Sequence, residues 1–185
     1  MKRLKEFILE MFTVMIGILI ALLINNWNDE RKENKYLEQI YVSIHKELEE
    51  SVDGIKETIP LQLASIDTIQ AYLNDEKVSV YDLLIKTNGI HGPNIKTTSW
   101  SALANSKIEL IEYDRLSALT DIESRKRNLS DRLSRQVDFI YQNLEDNNKG
   151  KKEMLRIMLL DIVGAERSLQ SEIEKLMKDY PIASD

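Results

Sequence analysis

The side chains able to do acid-base or metal chemistry in this 185-residue chain are two histidines and many carboxylates, and their spacing points away from catalysis. His45 and His91 fall in different elements, and neither is read with a metal-ligand partner one helical turn on, so no zinc site is expected. Glu47, Glu49 and Glu50, like Glu172 and Glu174, fit the outward faces of helices better than an acid/base pair. No GxxxxGK, GxSxG, HExxH or GxGxxG occurs, and the absence of cysteine removes disulfides, thiolate metal sites and cysteine nucleophiles together. The expectation is a chain that is not an enzyme and that takes no cofactor and no metal.

Recognition has more to work with. Residues 87–97, TNGIHGPNIKT, read as a loop, with His91 inside it and Trp100 just beyond; these two are the candidate recognition residues. Trp100 also serves as the anchor that would pin the loop to the fold. The basic run SRKRNLSDRLSR, residues 124–135, reads as a salt-bridged surface facing the first helix rather than a phosphate site. Net charge is −6, of which residues 1–28 carry +1 and the remainder −7. A nucleic-acid partner is not expected for so acidic a chain.

The element that must position all of this is apolar. Residues 7–24, FILEMFTVMIGILIALLI, cover roughly 27 Å at 1.5 Å per residue, close to the roughly 30 Å hydrocarbon thickness of a bilayer. A transmembrane helix is therefore expected over residues 7–26, with Trp27 as the interface anchor on the far side and Lys2, Arg3 and Lys5 on the near side. No small-residue cleavage site follows, so an uncleaved signal anchor is expected. Within the span Glu10, Thr13, Gly17 and Ala21 recur at steps of three and four on one helix side. Gly17 and Ala21 form a small-xxx-small step at which another backbone can approach, which makes these four the candidate membrane helix contacts.

Six glycines and three prolines in the whole chain, with leucine and isoleucine recurring at helical spacing, point to an all-α fold: the anchor continues into an antiparallel helical bundle. The organisation reads as a cytoplasmic tail over 1–6, the span over 7–26, a stalk over 27–36 and a helical extracytoplasmic domain over 37–180. Pro60 is expected to kink or briefly break the first helix, with Thr58 capping a new helix as the alternative. Further helices are expected over 79–86; from a Thr98 or Ser99 cap to Asn105, which can end the helix in a left-handed position; from Arg115, with Asp114 as its cap, to about Leu144; and over 152–177 with Met154 inward. Lys107 to Ile111 is the one plausible extended piece.

Two stretches resemble a family of uncharacterised single-span membrane proteins of Bacteroidota. One runs from Glu10 through IGILIAL, residues 16–22, to the exit INNWN, residues 24–28; Leu9 stands where the family has glycine and Leu23 where it has glutamine. The other is similar at Thr98, Trp100, Leu103, Ser106, Lys107 and Ile108 to Ile111. The resemblance implies an inner-membrane location with a helical domain on the periplasmic side, and implies no activity. The partners expected are the lipid bilayer and another membrane protein, or a second copy, met through the span. The function expected is a non-enzymatic interaction or accessory subunit of an envelope complex, with a ligand-sensing ectodomain that signals through a membrane partner as the alternative.

Overall fold

The computed structural model describes residues 2–181, apart from the side chains of residues 2–6, 8 and 9. The basic flank Lys2, Arg3 and Lys5 therefore lies outside the described side chains. The described chain is helical: α1 is Lys2–Ala71, α2 Val80–Lys86, α3 Thr98–Ser106, α4 Tyr113–Gln142 and α5 Lys149–Asp179, with a 3-10 turn at Ile108–Leu110. It divides into two units, residues 1–41 and residues 42–185.

In the first unit the apolar run of α1 is buried by nothing. Every described side chain from Phe7 to Trp27 is exposed, among them Phe12 at 58%, Leu19 at 54% and Leu23 at 68%. This helix is long and apolar enough to cross a membrane.

The second unit is a bundle in which α5 runs antiparallel to both α1 and α4. On the α1 side Lys56 meets Glu174, Gln62 meets Glu166 and the Lys152 ammonium meets the carbonyls of Tyr72 and Asp75. On the α4 side Arg125 meets Glu172 and Arg132 meets Asp161. Each pairing moves forward on one helix as it moves back on α5. The reason α5 takes the middle is its spacing: Leu155, Leu159, Ile162, Leu169, Ile173 and Leu176 are buried at steps of three, four and seven, which keeps one side of the helix apolar for almost its whole length. One core cluster joins Ile66 and Ile69 of α1, Val80 and Leu83 of α2, Ile140 of α4 and Leu155, Leu159 and Val163 of α5.

Local chemistry starts the shorter pieces. Ser79 and Asp82 form a reciprocal capping box on α2, at 3.1 Å from the Asp82 amide to Ser79 Oγ and 2.8 Å from the Ser79 amide to Asp82 Oδ2. The two hydrogen bonds from Ser79 hold the Asp82 carboxyl below its usual range. Asn88 and Gly89 take positive φ, 57° and 98°, and turn the chain out of α2.

Several boundaries differ from the sequence reading. α1 passes Pro60 without a break, and Thr58 caps no new helix but is buried at 9% exposure. Pro60 itself is exposed, and packing of the turns on either side, with Ile55 at 0% and Ile66 at 7%, carries the helix across the missing N–H. Thr97 occupies the N-cap of α3, and Asn105 is not left-handed: its side chain donates to the Ser101 carbonyl inside the helix. Ile108 to Leu110 is helical rather than extended. α4 starts one residue before Asp114, and α5 starts at Lys149, where Asn148 accepts from the Gly150 amide at 2.7 Å. Met154, expected inward, is 48% exposed.

The least expected core residue is Lys152, whose side chain is fully buried. Its Nζ donates to the Tyr72 carbonyl at 3.2 Å and the Asp75 carbonyl at 2.6 Å. These belong to the turn at the end of α1, where each carbonyl also accepts a backbone amide, from Asp75 and Val78 respectively, and where the negative end of the helix dipole makes a cationic donor favourable. Lys152→Met keeps the length of the side chain and removes both bonds; the full chain in detergent is expected to lose about 1–3 kcal/mol of unfolding free energy in urea.

Candidate functional site

The expected membrane contacts lie on an open surface. Glu10, Thr13, Gly17 and Ala21 are all exposed, and a Cβ built on Gly17 would meet nothing within 4 Å. Trp27 is 62% exposed, with the Arg31 guanidinium 5.8 Å from its ring centroid. Asn25 donates to Asp29 at 3.1 Å, and Lys32 pairs with Asp29 at 3.3 Å. The polar side chains just past the apolar run thus engage one another along the helix, and the indole faces outward beside a cation.

The loop of residues 87–97 is held from two helices. Gln62 of α1 donates to the His91 carbonyl at 3.0 Å, Ser51 Oγ accepts from the Lys96 amide at 2.9 Å, and Glu50 pairs with the Lys96 ammonium at 2.5 Å. Glu47 accepts from both the amide and the hydroxyl of Ser99, at 2.9 and 3.0 Å. From α4, Lys126 donates to Thr97 Oγ1 at 2.6 Å, and Leu133 approaches so closely that a Cβ on Gly92 would stand 3.3 Å from its methyl carbons. Glu49 and Glu50 lie on the exposed face expected of them, with Glu50 also tying down the loop, whereas Glu47 is half-buried against the first turn of α3. The pairing with Lys96 holds the Glu50 carboxyl below its usual range.

The two candidate recognition residues separate. Trp100 is 7% exposed and sits in the core. His91 uses its imidazole Nε2 against the Thr87 carbonyl at 2.8 Å and closes a turn. A cavity beside His91, lined also by Ser65, Thr87, Ile90 and Gln136, measures about 20 Å³, room for about one water, and Trp100 does not line it. His45 has a partner that the sequence reading did not assign: Glu49, one turn on, lies 3.6 Å away.

The basic run of α4 faces α5 and the loop instead of α1. Arg125 reaches Ser168 at 2.8 Å and Glu172 at 3.5 Å, Arg132 pairs with Asp161, and Arg127 turns back to Glu123 at 3.3 Å. Asp114, Asp121, Glu172 and Asp179 line an open groove of about 280 Å³ between the start of α4 and the end of α5, together with Lys175. Among the described residues no group of three or more His, Cys, Asp or Glu is placed to hold a metal ion.

A buried polar pair between α1 and α5 was missed. Gln62 and Glu166 are both fully buried, and Gln62 Nε2 donates to Glu166 Oε1 at 2.8 Å. Gln62 Oε1 and Glu166 Oε2 accept nothing. Burial pushes the Glu166 carboxyl up to about 7, against the smaller opposing pull of the Gln62 bond. A signal existed: Lys152, Leu155, Leu159, Ile162, Glu166, Leu169, Ile173 and Leu176 form one unbroken series of three- and four-residue steps, so the apolar period itself places Glu166 inside.

In the unfolded chain Glu166 ionises near its ordinary 4.5, whereas the fold keeps it protonated to about 7. The folded state binds more protons in that window. Its extra stability is complete below pH 4.5 and is lost as pH rises to about 7, by about 3 kcal/mol in all. Urea unfolding of the full chain in detergent should show Glu166→Gln without that loss. Trp100→Ala should cost about 3–5 kcal/mol in the same assay, as truncation of a core aromatic does.

No family model, curated protein or solved structure matches this chain.

Proposed function

We propose that the chain is a single-pass membrane protein in which residues 7–26 anchor a helical module, and that the module works by binding other proteins rather than by catalysis. The observation that carries this reading is the contrast between two apolar surfaces. The stripe of α5 is buried by its own chain, while none of the apolar window of α1 is. An isolated apolar surface of that length is matched by hydrocarbon, where a helix satisfies its own backbone hydrogen bonds.

The direction assigned is N-terminus inside and the helical domain outside a bacterial inner membrane, from Lys2, Arg3, Lys5 and the amino terminus close before the span, against Arg31, Lys32 and Lys35 after it. The likeness of the anchor to single-span proteins of Bacteroidota supports the same assignment. The role is that of an accessory subunit of an envelope complex, and the membrane contact is assigned to Glu10, Thr13, Gly17 and Ala21. Support for binding over catalysis comes from the second unit, where polar side chains serve structural contacts: half-buried Glu47 on the first turn of α3, exposed Glu50 on the loop and buried Lys152 at the end of α1.

Two measurements test this. The full chain should stay with the membrane pellet after alkaline extraction, and Leu19→Arg with Ile20→Arg should release it, since each arginine costs about 2.5–3.5 kcal/mol at the centre of a span. Crosslinking in native membranes should capture a membrane-protein partner or a second copy, and Gly17→Leu should abolish those crosslinks. Recovery of the wild-type chain as an uncrosslinked monomer would count against the subunit role.

A further inference from the structure

Glu166 is a fully buried carboxyl with one oxygen bonded to Gln62 and the other bonded to nothing. Gln62 spends both of its N–H donors, one on Glu166 Oε1 at 2.8 Å and the other on the His91 carbonyl at 3.0 Å. One amide group therefore joins a buried acid on α5 to the backbone of the 87–97 loop.

The charged groups on the packed elements are occupied elsewhere. On α1, Lys56 pairs with Glu174; on α4, Arg125 and Arg132 pair with Glu172 and Asp161, and Lys126 donates to Thr97. In the loop, Lys96 pairs with Glu50 and the His91 imidazole is bonded to Thr87; Lys152 of α5 is spent on the end of α1. Arg167, next to Glu166, is exposed. Ionised, Glu166 would thus be a buried charge with a single neutral donor, and such a charge is relieved most cheaply by letting water in. The loop is the irregular segment beside it, and the small cavity lined by His91, Thr87 and Gln136 lies under the same stretch.

We propose that Glu166 and Gln62 form a proton-sensitive latch on the 87–97 loop: a neutral carboxyl leaves the loop closed on α1, and loss of the proton to solvent admits water and loosens it. The loop is the part of the second unit that changes exposure, so binding through it would depend on pH. The device is independent of the membrane assignment.

The test is hydrogen exchange of the 87–97 amides in the full chain in detergent, at about pH 5.5 and about pH 8.5, corrected for the intrinsic pH dependence of exchange. Wild type is expected to lose about tenfold in protection at the higher pH, and Glu166→Gln to be equally protected at both. Gln62→Leu should leave the loop open at both. A wild-type loop with the same protection at both pH values overturns the latch. So does a pH dependence that survives in Glu166→Gln. Should Glu166→Gln not fold, infrared titration of wild type decides: a buried carboxylic-acid C=O band must vanish in step with loop opening, and its absence at the lower pH overturns the proposal.

Discussion

Burial of one side of α5 is the interaction on which the second unit depends. α1 and α4 each meet α5 along most of its length, and the ion pairs at Lys56, Arg125 and Arg132 are surface contacts that fix register more than they stabilise. The loop and α3 are arranged from this frame by side chains of α1 and α4: Glu47, Glu50, Ser51 and Gln62 from one, Lys126 and Leu133 from the other, while α2 is tied to the turn after α4 by its Val80 and Tyr81 amides. The loop is ordered by its clamps rather than by regular structure of its own.

The polar residues within the buried stripes divide by how well they are satisfied. Lys152 is a buried cation that finds two carbonyls, Ser51 donates to the Glu47 carbonyl while accepting from the Lys96 amide, and Ser65 turns back to the Leu61 carbonyl. Gln62, Gln136 and Glu166 each keep an oxygen without a donor. Satisfied groups tie elements together at little cost, whereas an unsatisfied one stays sensitive to protonation and to water. Of the second kind, Gln62 and Glu166 stand where the loop is tied down and Gln136 lines the cavity beside His91, while Glu123 Oε2 lies apart on α4.

Helices were legible because the chain announces them by period and by the scarcity of glycine and proline. Their ends were legible only where a local bond makes them, as at Ser79 with Asp82. Their ends are not legible where tertiary contact decides: the helix runs through Pro60, and Ser99 does not cap α3 but spends its amide and hydroxyl on Glu47, distant in sequence. His91 and Trp100 looked alike as candidates because each is a large side chain in or beside a glycine-rich loop. Burial separates them, and burial is a property of what packs on a residue.

From sequence alone come the helix long and apolar enough to cross a membrane, since eighteen nearly unbroken apolar residues need no knowledge of the rest to be seen, and the all-helical character, since a period of three to four is written locally. The helix stripe Glu10, Thr13, Gly17 and Ala21 was equally readable, because one helix fixes which residues share a side. Only the tertiary structure decided that Lys152 binds the turn after α1, that Glu166 meets Gln62 and that Gln62 also holds the loop. Those contacts join residues far apart in sequence, and the free energy of a buried polar group depends on the partner it finds after folding, which no local pattern contains.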